Sequence, residues 1–146
     1  MIVPKADKCR AFTLAEVLIA MGISILTMVG VIYGYISSCK RAEWSAYSLA
    51  AQSLAIQRIE QARACRWDTE AYPVIDELVA SNFPPVKSVL DVPSSGTNLT
   101  YATVTTTITQ IGNMPSLRMI KVDCEWTFFQ GKKFTNTLVT YRGPDS

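Results

Sequence analysis

The chain has 146 residues, with 14 Lys and Arg against 12 Asp and Glu for a net charge of +2, and 49% of its residues are apolar. That length holds one modest domain plus an anchor rather than two sizeable cores. The near-neutral balance predicts no nucleic-acid contact, and the absence of His removes the commonest general base and metal ligand, so no catalytic residue, metal or cofactor is expected.

Residues 1–11, MIVPKADKCRA, are a short polar leader with Lys5, Lys8 and Arg10 against Asp7. Residues 12–39 follow with a single charge, Glu16, and residues 17–39 carry none. Those 23 uncharged residues exceed the roughly 20 that an α-helix needs to cross the hydrocarbon of a bilayer. A secretory signal peptide places its small-residue cleavage site after the apolar run. Here the small residue, Ala11, stands before it, so cleavage there would keep the helix and make Phe12 the new first residue.

The order of leader, Ala11, Phe12-Thr13-Leu14-Ala15-Glu16 and apolar run resembles the N-terminus of type IV prepilins and type II secretion pseudopilins. The resemblance implies cutting between Ala11 and Phe12 by a prepilin peptidase, N-methylation of Phe12, and pairing of Glu16 with the Phe12 amine of a neighbouring subunit. In low dielectric such opposite charges attract strongly. The family usually has Gly before the cut; Ala is the next smallest side chain, for which slower or tolerated processing is expected. Several members also carry a Pro midway along this helix, and none occurs here. Gly22, Gly30 and Gly34 are candidate helix-packing positions, with Gly30 and Gly34 in the small-xxx-small spacing that lets helices approach closely. A less specific reading leaves Glu16 at interface depth beside the basic leader, where its cost is small.

Lys40 and Arg41 mark the far interface, and the three basic residues of the leader outnumber them, which favours a cytoplasmic N-terminus. Residues 40–66 lack Gly and Pro and are rich in helix formers. Trp44, Tyr47, Ala51, Leu54, Ala55, Ile59 and Ala62 recur in steps of three and four, predicting an amphipathic continuation of the helix to about residue 66. Residues 67–146 are the expected head. Its first part, 67–98, is broken by Pro73, Pro84, Pro85, Pro93 and Gly96 and reads as a variable loop with one short helix over 74–80.

Residues 99–142 read as about three antiparallel strands: 99–111, then 117–129, then a Gln130–Lys133 turn into 134–142. In the second, Ile120, Val122, Cys124, Trp126 and Phe128 alternate with Lys121, Asp123, Glu125 and Thr127, so one face is buried and the other wet. Asp123 and Glu125 share the wet face beside Lys121 and read as a solvated surface rather than an acid/base pair; Thr103, Thr105, Thr107 and Thr109 read the same way. The fold class is therefore α+β, a long N-terminal helix packed on a C-terminal antiparallel sheet, as the resemblance also implies.

Four cysteines, at 9, 39, 65 and 124, have no zinc or thioredoxin-like spacing. Cys9 leaves with the leader, and Cys65 and Cys124 are the pair a compact head can bring together. A bridge between them, worth roughly 4 kcal/mol on chain entropy, and two buried free thiols are both open.

The resemblance implies a structural subunit, a minor pilin or minor pseudopilin, single-pass in a bacterial inner membrane with its head periplasmic or extracellular. Its partners would be other pilin or pseudopilin subunits, the prepilin peptidase, the assembly platform and membrane lipid. The alternative is an uncleaved, membrane-anchored binding module that uses its head to recognise a partner. An enzyme is not expected.

Overall fold

The computed structural model describes residues 13–90, 99–113 and 116–145. The expected processing positions Ala11 and Phe12, with Cys9, Pro93, Gly96, Met114 and Pro115, lie outside the described residues. The chain divides into two units, Met1–Arg41 and Ala42–Ser146.

Helix α1, Leu14–Ala64, contributes to both units. No Pro interrupts its 51 residues, so nothing removes a backbone donor from the hydrogen-bond ladder. Within the first unit its large apolar side chains face outward, from Leu14 at 81% exposure to Tyr35 at 71%. Ser24 Oγ donates to Ala20 O at 2.8 Å and Thr27 Oγ1 to Ser24 O at 2.9 Å. These two hydroxyls are thus satisfied within the helix, as an apolar medium requires. This helix is long and apolar enough to cross a membrane.

The second unit holds the core. Tyr47, Ala51, Ala55, Ile59 and Ala62 are buried along one helix face, and Leu54 packs against the same cluster. Trp44 is 40% exposed at the margin of that stripe. The helix ends at Ala64, two residues before the expected end, and side chains reach two of its last carbonyls. Arg142 Nη1 donates to Ala62 O at 2.9 Å and Cys65 Sγ to Gln61 O at 3.4 Å, which answers the unmet acceptors of a helix C-terminus.

The main sheet has four antiparallel strands in the order β3-β4-β5-β6, where β3 is Val86–Val89, β4 Tyr101–Asn113, β5 Ser116–Phe128 and β6 Lys132–Arg142. This corrects the expected count of about three. The extra strand came from the stretch read as variable loop, because Val86-Lys87-Ser88-Val89 is too short for its alternation to stand out. The short helix expected over 74–80 is also absent: Ile75–Asp76 (β2) pairs with Trp67–Asp68 (β1), and a 3-10 turn follows at Ala80–Asn82. Trp67, Leu78, Phe83 and Leu90 are buried, so 67–90 is anchored to the core rather than draped over it.

Cross-strand register explains the packing on the helix side. Ala102 lies opposite Trp126, Val104 opposite Cys124, and Ile108 opposite Ile120. The smallest residue faces the largest, leaving room for the indole. The β5-β6 loop runs through Gln130 at φ 61° and Gly131 at φ 76°, a left-handed path that glycine takes without steric cost.

Candidate functional site

The start of α1 carries the site that the sequence singles out. Thr13 stands just before the helix and Glu16 in its first turn. The Thr13 N–H donates to Glu16 Oε2 at 2.9 Å, Thr13 Oγ1 donates to the same oxygen at 2.9 Å, and the Glu16 N–H donates to Thr13 Oγ1 at 3.3 Å. This is a capping box, in which Thr and Glu three residues apart satisfy each other's backbone donors. The sequence signal was Thr13-x-x-Glu16, and the reading that gave Glu16 only an intermolecular or interfacial role missed it. Both incoming bonds fall on Oε2; Oε1 has no partner among the described residues.

Gly22, Gly30 and Gly34 all have open space where a Cβ would stand. Within the described chain nothing crowds these positions, so no contact inside the subunit calls for glycine there. They leave shallow places on an outward helix surface.

Two arginine clamps in the second unit were not anticipated. Arg118 Nη1 and Nη2 donate to Asp76 Oδ1 and Oδ2 at 2.6 and 2.7 Å, Nη1 also donates to Leu78 O at 2.7 Å, and the guanidinium lies 4.3 Å from the Trp67 ring centre. The hydrogen bonds from Arg118 hold the Asp76 carboxyl below its usual range. Arg142 sits directly opposite Arg118 in the β5-β6 register and is answered by Asp145 at 2.8 and 3.0 Å. Asp145 Oδ2 also accepts the Trp67 N–H at 2.9 Å. That bond, ahead of the contribution of Arg142, lowers the Asp145 pKa. Two like charges facing each other across a ladder would destabilise it; each here has its own carboxylate. The available signal was phase, since Arg118 and Arg142 share the parity of the inward residues Ile120 and Leu138.

Of the two open readings for Cys65 and Cys124 the structure has free thiols rather than a bridge, and Cys39 is free as well. The reason is position along the sheet. Cys65 follows the helix end that Arg142 caps, level with Arg118, whereas Cys124 lies six residues further along β5. At about 3.3 Å per residue that is roughly 20 Å, against the ~7 Å limit between Cα atoms for a disulfide. Burial pushes the Cys124 thiol up to about 11.

On the outward sheet face Asp123 and Glu125 are engaged separately. Lys121 Nζ lies 2.8 Å from Asp123 and Lys133 Nζ 2.6 Å from Glu125, and Thr137 Oγ1 donates to Asp123 at 2.6 Å. Thr103, Thr105, Thr107 and Thr109 are exposed beside them. Among the described residues no three His, Cys, Asp or Glu side chains gather as a metal site. Compared with protein-family models, curated proteins and solved structures, the chain matches none.

Proposed function

We propose that this chain is a structural subunit, a minor pilin or minor pseudopilin, of a type IV pilus-like or type II secretion filament. It is cut between Ala11 and Phe12 and held in a bacterial inner membrane with its head on the far side. Its neighbours in the filament are other pilin or pseudopilin subunits. The observation that carries this reading is the division of labour along α1: among the described residues the helix gives the buried core positions from Tyr47 onward, while the membrane-length stretch before it keeps its apolar side chains and three glycines outward. A 23-residue uncharged stretch whose apolar side chains are exposed among the described residues needs lipid or other helices around it.

The capping box is compatible with pairing between subunits. Thr13 occupies Oε2 of Glu16, and Oε1 is left to accept from the Phe12 amine of a neighbour. Such work needs no active site; the chain supplies packing and charge pairing.

N-terminal sequencing and mass spectrometry of the native protein, from cells with a working prepilin peptidase, test the reading. A chain beginning at N-methylated Phe12 is expected. A chain that still begins at Met1 overturns the assignment in favour of an uncleaved anchored binding module.

A further inference from the structure

The register of β4, β5 and β6 arranges the outward sheet face in rows. Thr103, Glu125 and Thr135 stand side by side in one, and Thr105, Asp123 and Thr137 in the next. Thr107, Lys121 and Val139 follow, then Thr109, Met119 and Tyr141. Both acids are neutralised where they stand, Asp123 by Lys121 Nζ at 2.8 Å and Glu125 Oε1 by Lys133 Nζ at 2.6 Å. Of the threonines in these rows, only Thr137 is engaged among the described residues, donating to Asp123 at 2.6 Å. The others are exposed with their hydroxyls unpaired there, and Glu125 Oε2 is likewise left open. A shallow depression of about 550 Å³ lies over the first two rows. Beyond it Val139 and Tyr141 are 47% and 59% exposed.

We propose that this face binds a neutral, β-1,4-linked oligosaccharide lying along the strands from the Thr103 row to Tyr141. The ligand class follows from what the face offers. Each carboxylate already holds a lysine, so a metal ion finds no vacant acidic pair, and the same carboxylates repel a phosphate or other anion. A protein partner needs an apolar interface centre, and the two rows under the depression contain no apolar side chain. What the face presents is hydroxyl, which both donates and accepts, as the hydroxyls of a sugar do. Threonine is stiff at χ1, so the row is held in place before binding and little ordering entropy is lost. The last row lies six residues from the first, about 20 Å along the strands, which gives room for several rings. The exposed ring of Tyr141 can cover the apolar face of a sugar ring, burying area from water. A β-1,4-linked chain is an extended ribbon and so matches a sheet face. The site belongs to the head alone and does not depend on the filament reading.

The test is calorimetric titration of the full chain with cellotetraose, in a detergent whose headgroup is not a sugar. Saturable binding is expected, unchanged by added salt because the ligand carries no charge. Thr103→Val with Thr105→Val removes two hydroxyls while keeping branched side chains on an exposed face, and should weaken binding about tenfold, the loss of two modest hydrogen bonds. No saturable binding up to millimolar cellotetraose overturns the proposal with the native chain alone, whether or not any variant folds. Undiminished binding by the double Val variant, with its circular dichroism intact, removes the ligand from this face and overturns it as well. Tetragalacturonate, the acidic comparison, should bind more weakly; tighter binding that salt abolishes would assign the face to an anion and overturn the neutral ligand. A native chain that still begins at Met1 would sink the filament reading and leave the sugar site standing.

Discussion

Glu16 caps the helix with Thr13, and a single substitution can separate that task from the intersubunit pairing proposed for it. Gln keeps an acceptor for the Thr13 donors, and the capping box tolerates it, but it has no charge to offer a neighbour's amine. If the proposed filament is right, Glu16→Gln is expected to insert in the membrane and retain its helix start while losing incorporation into that filament, as read by cross-linking to neighbours. Normal incorporation would show that the cap, not the charge, is what assembly uses. At Asp76 the carboxylate screens Arg118 from Arg142 as well as pairing with it. With the Asp76 side chain 31% exposed, Asp76→Asn should cost about 1.5 kcal/mol, the low end for a hydrogen bond to a charged group. The carboxyls of Asp76 and Asp145 are both held below their ordinary range. Their contribution is thus complete above about pH 5 and is lost as pH falls below about 4 through the folded values. Hydrogen exchange of residues 67–90, corrected for its intrinsic pH dependence, should rise below pH 4 in the native chain, and less steeply in Asp76→Asn. Cys124, raised to about 11 by burial, stays protonated at neutral pH and should resist alkylation until the head unfolds.

At the scale of elements, helix and sheet approach through small residues. Ala51, Ala55 and Ala62 are fully buried on the helix, and around Trp126 the rings of Trp44, Tyr47, Phe128 and Phe134 lie between 5.1 and 6.4 Å away. Trp126 Nε1 donates to Asn136, whose Nδ2 in turn donates to Ser48 on the helix at 3.1 Å. This leaves the buried indole donor satisfied, as its cost would otherwise demand. Enlarging the interface should separate the layers: Ala55→Leu is expected to destabilise the head by about 1–3 kcal/mol through overpacking, measured by denaturant unfolding. Helix propensity opposes that direction only weakly, so an unchanged midpoint would mean the helix–sheet contact is looser than described. The helix stripe and the alternation of β5 were readable because both follow the periods of their own elements. β3 and the β1-β2 pair were not, because strands of two to four residues contain too little period to see and exist only where β4 or a neighbouring loop supplies partners.

For the whole molecule, every residue of the buried cluster comes from the unit Ala42–Ser146. That fragment, without residues 1–41, is expected to fold alone as a soluble α+β domain and unfold in one cooperative transition by circular dichroism. A fragment lacking cooperative unfolding would show that the head depends on the preceding helix. The sequence by itself determined what is local: the apolar span, the Thr13 to Glu16 cap, the amphipathic stripe and the two-faced β5. Each of these depends on residues a few positions apart, so the linear order already holds the physics. Only the tertiary structure decided the pairings over long separation. Arg118 with Asp76, Arg142 with Asp145, and the distance that keeps Cys65 from Cys124 all depend on register across the sheet. No spacing along the chain encodes them.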